Sequence, residues 1–354
     1  MCSVCLTFAK VREIESEMAS LYVVGARRRK RVLREGTEWD LYDAAVILQL
    51  DTDSGAVRTC VEYETPPGAR PDQKSSTIFK SGTLVKGILY ICTKTEILTF
   101  RVPGFQRIDY ISLPCFHDVH HVTPASDGTL LVANTGLDMV ATVSPTGELL
   151  AASNVLGEPP WSRFSPTVDY RKVETTKPHK AHPNFVFELN GDVWVTRFHQ
   201  RDAICLKDSR KRIEIAVEAP HDGIVRGEQV FFTSVDGRII IANSRNLKVE
   251  QIIDLKQVDG PQALLGWCRG LLPLRDGRVW VGFSRIRKTW YEENVKWVKN
   301  VLREGMHEKP THIALYDLVN QRCIQEFDLE AHGLHVLFSI FPGPPPESVG
   351  KTFS

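Results

Sequence analysis

Short apolar runs rich in β-branched and aromatic residues recur along the whole chain, and turn residues separate them. Examples are residues 45–50 and 279–283, and the pairs Asp127-Gly128 and Asp236-Gly237 are typical of the turns. Runs of this length bounded by Asx–Gly pairs favour antiparallel strands joined by tight turns. The pattern therefore predicts an all-β fold, which is a sandwich, a barrel or a propeller.

Internal repetition decides among these three folds. The predicted strands fall into units of four, and a four-stranded unit is typical of the blade of a β-propeller. Five complete units are predicted, at about residues 76–114, 115–156, 179–218, 219–256 and 266–330.

The two ends of the chain supply a sixth unit. Three predicted strands lie within residues 20–66, and one more lies within residues 332–342. Joining the last strand to the first three closes the ring and leaves no free sheet edge. We therefore predict a single domain over residues 1–354, folded as a six-bladed β-propeller that is closed by the N-terminal strands and the C-terminal strand.

Two insertions interrupt the repeat. Residues 157–178 lie between two blades and contain Pro159-Pro160-Trp161, and residues 285–310 interrupt the fifth complete blade. Within the second insertion, residues 288–302 have the apolar spacing of a helix. Insertions of this kind cover a channel mouth, contact a partner or elaborate the surface.

Histidine is concentrated in a few places: eight of the eleven histidines lie in the segments 117–121, 179–182, 221–223 and 332–335. The first strand of each propeller blade lines the central channel, and each segment begins such a predicted strand or the loop that enters it. Distant segments should therefore converge on one axis. The matched positions, taken blade by blade, are His120, His182, His221, Arg269 and His335, with Lys80 or Lys86 in the remaining blade.

These histidines predict a metal site. Neutral imidazole is a good ligand for zinc, iron, copper and nickel, and a catalytic site keeps one position open for water or substrate. We predict a divalent transition metal, Zn or Fe, that is bound by His120, His182, His221 and His335. Two other interpretations remain open, namely a metal-free polar pocket and a structural repetition of hydrogen-bonded histidines.

Three further residues are candidates for catalysis. His117 precedes His120 by three positions, so on an extended segment the two face opposite sides, and His117 could act as an acid or a base outside the ligand shell. Asp222, beside His221, could act in the same way. Arg269 is the cation at the matched position, and it could hold an anionic group of the substrate bidentately. A structural salt bridge between blades is the alternative for Arg269.

The composition limits the class of protein, its partners and its cellular location. The chain is 42% hydrophobic and 25% charged with a net charge of +1, which is an ordinary globular composition without a field that would attract nucleic acid. No apolar run reaches the ~18 residues of a membrane span, and the N-terminus does not resemble a signal peptide. The eight cysteines are scattered, and Cys2 and Cys5 have no second pair that would complete a zinc site. These features predict a reducing, cytoplasmic location.

With its predicted strands assigned to six blades, the chain resembles the broad class of six-bladed propellers. That class includes the NHL-repeat proteins, the strictosidine-synthase and gluconolactonase group, and the peptidyl-hydroxyglycine amidating lyases. In the lyases a central zinc is bound by histidines from different blades, which implies ligation by the four histidines and a substrate role for Arg269. The chain departs from the lyases because it lacks their secretory features and disulfides. Its histidines also do not match the carboxylate and amide ligands of the gluconolactonases.

The sequence therefore predicts a metal-dependent enzyme that acts on a small molecule in the central channel, with an anionic substrate as one option. Lyase, hydrolase and oxygenase chemistry all remain open. No nucleic-acid or membrane partner is expected. The alternative function is a non-catalytic propeller scaffold that binds a protein partner, since a fold does not fix a function.

Overall fold

The computed structural model describes residues 19–30, 41–72, 76–260, 263–286 and 307–344. Six four-stranded antiparallel sheets are arranged as a six-bladed β-propeller, which confirms the predicted fold class and blade number. The predicted helix at 288–302 and the pair Cys2 and Cys5 lie outside the described residues.

The strands of the first half of the chain are β1 (Ser20–Arg28), β2 (Tyr42–Asp51), β3 (Val57–Tyr63), β4 (Gly82–Val85), β5 (Ile88–Cys92), β6 (Ile97–Arg101), β7 (Gln106–Ile111), β8 (Val119–Pro124), β9 (Leu130–Asn134), β10 (Met139–Val143), β11 (Leu149–Asn154), β12 (Pro183–Leu189) and β13 (Asp192–Arg197). Those of the second half are β14 (Asp202–Cys205), β15 (Arg212–Glu214), β16 (Pro220–Arg226), β17 (Gln229–Ser234), β18 (Arg238–Asn243), β19 (Val249–Asp254), β20 (Ala263–Leu264), β21 (Trp267–Pro273), β22 (Arg278–Ser284), β23 (His307–Glu308), β24 (His312–Asp317), β25 (Arg322–Asp328) and β26 (Val336–Pro342). A short α-helix, α1 (Leu255–Asp259), follows β19, and 3₁₀ turns occur at Pro67–Ala69, Thr135–Leu137, Tyr170–Lys172 and Glu330–His332.

The blades take their strands in chain order, with the innermost strand first. Blade 1 is β4 to β7, blade 2 is β8 to β11, blade 3 is β12 to β15 and blade 4 is β16 to β19. Blade 5 consists of β21, β22, β24 and β25, and blade 6 consists of β26 followed by β1, β2 and β3. Strands β20 and β23 form a small separate parallel pair.

The ring closes through the inner strands, as the sequence predicts. Neighbouring inner strands are in contact from β4 through β8, β12, β16 and β21 to β26. The Ser81 hydroxyl donates to the Phe338 carbonyl at 3.3 Å, and the Ser81 amide donates to the His120 carbonyl at 2.9 Å. Blade 6 is completed by antiparallel pairing of β26 with β1, in which Val24 lies opposite Ser339.

The core lies between the blades, which explains why the strands are apolar on both faces. On β18, Ile239 and Ile241 pack towards blade 5, in the same cluster as Phe283. Ile240 and Ala242, one residue out of phase, pack towards blade 3. Successive side chains of a strand point to opposite faces, so a sheet between two others needs a continuous apolar run.

Bulges mark the inner strands close to their first residues. The pairing of β8, β12, β16, β21 and β26 with the neighbouring strand shifts register in each case. A bulge leaves residues outside the ladder and redirects their side chains, and bulges are common beside functional sites. The residues passed over by the pairing are His120, Asn184, Asp222 with Gly223, Arg269 with Gly270, and Phe338.

The first insertion packs against blade 2. Leu137, Met139 and Tyr170 form a small buried cluster, with Trp161 and Phe164 against it. Within the described residues, no helix has the length and apolar character that crossing a membrane requires.

Candidate functional site

A buried ion pair lies beside one of the predicted ligands. Lys80 precedes β4 and is 4% exposed, and its Nζ lies 2.6 Å from Oδ1 of Asp118 and 3.1 Å from Nδ1 of His120. Burial lowers the pKa of Lys80, and the attraction of Asp118 opposes this. Burial is the largest single effect and acts to raise the pKa of Asp118, but the attraction of Lys80 together with that of the other basic groups nearby holds the pKa well below its usual range. At this distance the pair is an ammonium and a carboxylate joined by a charge-assisted hydrogen bond.

Three of the predicted histidines come together from three blades. The ring centroids of His120 and His182 are 4.9 Å apart, and those of His120 and His221 are 6.3 Å apart. His179 extends the group, because its Nδ1 lies 3.0 Å from Nδ1 of His182. Burial lowers the pKa of all four imidazoles, and the charge of Lys80 adds to the effect. The four rings are therefore neutral at neutral pH.

His221 has an unusual environment. Its side chain is 1% exposed, and among the described residues neither ring nitrogen has a hydrogen-bond partner. Oδ1 of Asp222 is 3.6 Å from Nδ1, which is beyond hydrogen-bonding distance. A buried polar group without a partner costs about 1–3 kcal/mol and calls for an explanation, such as a bound water or ligand.

The position of Asp222 follows from the bulge in β16. Its φ of +61° is in the left-handed region, and its Oδ2 accepts hydrogen bonds from the Thr233 hydroxyl at 2.6 Å and the Gly270 amide at 3.3 Å. Two bulges, one in blade 4 and one in blade 5, therefore meet at this carboxylate. The contact also brings Arg269, next to Gly270, close to His221.

Two aromatic rings hold Arg269 in place. Its Cζ lies 4.8 Å from the ring centroid of Phe338 and 5.4 Å from that of Trp267. The charge of Arg269 contributes to the lowered pKa values of Lys80 and His221, so the guanidinium is within electrostatic reach of both. A cation between aromatic faces is attracted by the negative face of each ring and is thereby fixed in position. Arg269 thus belongs to the histidine group, which the sequence also predicts.

His117 faces the first insertion. Its Nδ1 lies 2.9 Å from the Tyr170 carbonyl, and its amide donates to the Asn134 side chain at 2.9 Å. Burial lowers the pKa of His117 to about 4. These contacts join blade 2 to the insertion, while His120, three residues later, faces the other histidines.

The contacts of His335 tie it to strand β1. Its Nδ1 accepts a hydrogen bond from the Arg28 amide at 3.1 Å, and its own amide donates to the Ala26 carbonyl at 2.8 Å. The ring of blade 6 that contacts His120 is Phe338, at a centroid distance of 6.4 Å. The structure thus brings together His120, His182, His221 and Arg269, whereas His335 caps the neighbouring strand.

His121 joins blades 1, 2 and 3. Its ring stacks on Phe185 with centroids 3.6 Å apart. Its Nδ1 accepts from the Val186 amide at 3.3 Å, so the proton is on Nε2, which lies 3.2 Å from the Gly82 carbonyl. Burial lowers the pKa of His121 to about 3. This histidine is a structural link between blades.

The donor set does not match a metal centre as it stands. In the part of the chain that the structure describes, no group of three or more His, Cys, Asp or Glu side chains is arranged to hold a metal ion. Nδ1 of His120 is 2.8 Å from the Asp118 carbonyl, and Nζ of Lys80 is 3.4 Å from Nε2 of the same ring. An ammonium beside a ligand nitrogen competes with a cation for that nitrogen. Within the described residues, the arrangement is therefore not a formed zinc or iron site.

Sequence reasoning missed Phe338 and left Lys80 undecided. Lys86 is exposed at the turn between β4 and β5, whereas Lys80 lies where blade 1 enters the ring. The signal for Lys80 is its place just before the first strand of its blade, which is also the place of His182. Phe338 has no signal of this kind, because an apolar residue within an apolar strand resembles any other core residue.

Comparisons with known proteins support the fold and go no further. No family model and no curated protein matches the sequence. A protein of unknown function from Bacteroides caccae is similar in structure, with a TM-score of 0.57 and 13% identity over 92% of this chain and 98% of that one. A chain of the nidogen/laminin complex has a TM-score of 0.53 and 9% identity over 90% of this chain and 97% of its own length. At these identities the chain is similar to both in fold alone.

Proposed function

We propose that this protein is an enzyme that acts by general acid–base catalysis on a small anionic molecule in the central channel. The observation that carries the proposal is the buried imidazole of His221, which has no hydrogen-bond partner among the described residues and lies within electrostatic reach of Arg269. A ligand that supplies a polar group to His221 and carries an anionic group towards Arg269 would be held by both side chains.

Each group has a role that its environment supports. His221 is the base, because a neutral imidazole can accept a proton and the adjacent carboxylate of Asp222 stabilises the imidazolium that forms. Arg269 binds the anionic group through its planar donor edge. Lys80, with its charge held by Asp118, supports negative charge that develops on the substrate. His120 and His182 surround the reacting group as neutral donors or acceptors.

A metal-dependent enzyme is the second candidate, and one observation favours it. In His120 and His182 it is Nδ1 that meets another group, respectively the Asp118 carbonyl and Nδ1 of His179. Metal-bound histidines commonly engage one ring nitrogen in this way and ligate through the other. Zinc or iron at His120, His182 and His221 would require Lys80 to move away from Nε2 of His120, and the fourth predicted ligand, His335, would have to leave its contacts with strand β1.

The test of the anionic ligand uses inorganic phosphate and pyruvate as probes. Thermal unfolding and isothermal calorimetry would compare the wild type with R269K and with R278K, whose arginine on β22 pairs with Asp276 at 2.6 Å. We expect the probes to stabilise the wild type and R278K, and R269K to bind them about tenfold more weakly. The loss of one hydrogen bond to a charged group costs about 1.5 kcal/mol, which sets this factor. Equal binding by R269K, or no binding by the wild type, would refute the role of Arg269.

Elemental analysis separates the two candidates. Protein purified without chelators, and again after reconstitution with zinc and with iron, should contain no stoichiometric metal if the acid–base proposal is right. Stoichiometric metal that is lost in H182N but kept in H332N would favour the second candidate, since His332 is exposed in a 3₁₀ turn. Failure of the anion test together with absence of metal would favour a non-catalytic scaffold.

A further inference from the structure

The loop that carries His182 is held by a single buried carboxylate. Asp138 is 0% exposed and follows the 3₁₀ turn Thr135–Leu137. Its Oδ1 accepts hydrogen bonds from the amides of Ala181 and His182, both at 2.9 Å, and its Oδ2 accepts from the amide of Lys180 at 2.8 Å. Three successive N–H groups from blade 3 thus converge on one side chain of blade 2.

The backbone of His182 needs such support. Its φ is +55°, in the left-handed region, which costs an L-residue other than glycine about 1–2 kcal/mol. Conformations of this kind persist where surrounding contacts over-determine them. With this backbone, the ring of His182 contacts both His179 and His120. The conformation fixed by Asp138 is therefore the one that places His182 in the histidine group.

The charge of Asp138 is balanced from the first insertion. Nη1 of Arg163 lies 2.5 Å from Oδ2 of Asp138, and Nη2 of the same side chain donates to the Pro178 carbonyl at 3.2 Å. The Thr176 hydroxyl donates to the Gly136 carbonyl at 2.5 Å, beside the same 3₁₀ turn. The insertion is thereby attached to the Asp138 carboxylate near one end and to the 3₁₀ turn Thr135–Leu137 of blade 2 near the other.

We infer that Asp138 is a positioning residue for His182. Arg163, in the first insertion, supports this role by pairing with the Asp138 carboxylate. Residues outside the channel would thus set the geometry of the channel site. This inference rests on the proposed function, because positioning matters only if His182 meets a ligand. It gives the insertion at 157–178 a specific role. The alternative is that Asp138 stabilises the fold in the same way as any other buried ion pair.

The variants separate these two roles. D138N keeps an oxygen for the amides of Ala181 and His182 but turns an NH₂ group towards Lys180 and Arg163. R163A removes the cation and leaves the three amides bonded. R163K should keep part of the positioning that R163A loses, because the lysine ammonium can still donate a hydrogen bond to Oδ2 of Asp138.

D259N is the matched control for the loss of a buried carboxylate. Asp259 lies at the end of α1, and its Oδ2 accepts from Lys309 and from the Tyr316 hydroxyl, both at 3.0 Å. Its side chain is 4% exposed, so D259N should have a stability loss similar to that of D138N. It lies in the blade 5 region and makes no contact with the carboxylate of Asp138.

Two readouts are needed, and the first is independent of any ligand. Long-range ¹H–¹⁵N spectra of histidine-labelled protein report the tautomers of His179 and His182, which share a hydrogen bond. We expect D138N and R163A to change these two ring signals, R163K to lie between R163A and the wild type, and D259N to leave them unchanged. Unchanged signals in D138N and R163A would overturn the inference.

The second readout is the affinity for inorganic phosphate by calorimetry. We expect D138N to bind about tenfold more weakly than the wild type, on the basis of about 1.5 kcal/mol for one charge-assisted hydrogen bond. D259N should keep the wild-type affinity. Equal weakening in both variants would assign Asp138 to stability alone. If phosphate does not bind the wild type, the proposed function fails, while the ring signals still decide the positioning role.

Discussion

Buried neutral histidines predict that the protein loses stability in mild acid. Burial lowers the pKa of His117 to about 4 and that of His121 to about 3, from an ordinary value of 6.5. In the unfolded chain both rings take up a proton as the pH falls below about 6.5, whereas in the folded protein they do not. The stability that the two neutral rings contribute to the folded protein is therefore fully present above about pH 6.5. It is lost as the pH falls towards 4 for His117 and towards 3 for His121.

The size of the effect follows from these two values. One pH unit below the unfolded pKa corresponds to about 1.4 kcal/mol for each ring that stays neutral in the folded protein. At pH 5, which is about 1.5 units below the unfolded pKa, each ring therefore lowers the free energy of unfolding by about 2 kcal/mol. The two together lower the free energy of unfolding by about 4 kcal/mol. For 354 residues an unfolding entropy of about 0.7 kcal/mol/K converts this into a fall in Tm of about 6 °C between pH 7 and pH 5. The other buried histidines act in the same direction, so this is a lower bound.

Urea unfolding at several pH values between 7 and 5 measures the slope directly. H121Q removes one titrating ring, and its slope should be about 1.4 kcal/mol per pH unit smaller than that of the wild type below pH 6.5. H332Q is the control for the substitution itself, because His332 is exposed, and it should leave the stability at pH 7 unchanged. The reasoning is refuted if the wild type is equally stable at pH 7 and pH 5, or if H121Q keeps the full slope.

Two substitutions test the interior of the site. K80M should lower the free energy of unfolding by about 3–5 kcal/mol because it leaves the buried carboxylate of Asp118 unpaired, and K80M/D118L should recover part of that loss in urea unfolding. If K80M costs less than the double variant, the ion pair does not exist as described. G136A should cost about 1–3 kcal/mol, because its methyl group would lie 2.6 Å from the His117 carbonyl oxygen. G104A, which has no atom within 4 Å of the new methyl group, should be neutral, and equal thermal stability of the two variants would contradict this geometry.

The fold could be predicted from the sequence because each blade packs between two others. Continuous β-branched runs such as that of β18 are required where both faces of a strand are buried, as Ile239 and Ile240 show. The split of blade 6 was predictable because the strands at the two ends of the chain add up to one unit. Closure through the pairing of Val24 with Ser339 then follows from the absence of any other partner for β26 in the repeat.

The site was predictable only where the repeat keeps its phase. His120, His182, His221 and Arg269 each lie at the start of an inner strand, so counting along the repeat finds them. The bulges break this counting, because each adds residues that no periodic pattern reveals. In blade 6 the bulge lies at Phe338, three residues after His335, and the ring of Phe338 therefore contacts His120.

The electrostatics that predict acid sensitivity also bear on which histidine would act as the base in the proposed reaction. A strongly lowered pKa keeps an imidazole neutral but makes it a weak proton acceptor, and an efficient base has a pKa near the working pH. For His120 the charge of Lys80 lowers the pKa in addition to burial. For His221 the largest effect after burial is the carboxylate of Asp222, which raises the pKa. A substrate anion at Arg269 would add negative charge beside His221 and raise its pKa further. The base would thus become effective only when its substrate is bound, so proton transfer in the proposed reaction falls to His221 and not to His120.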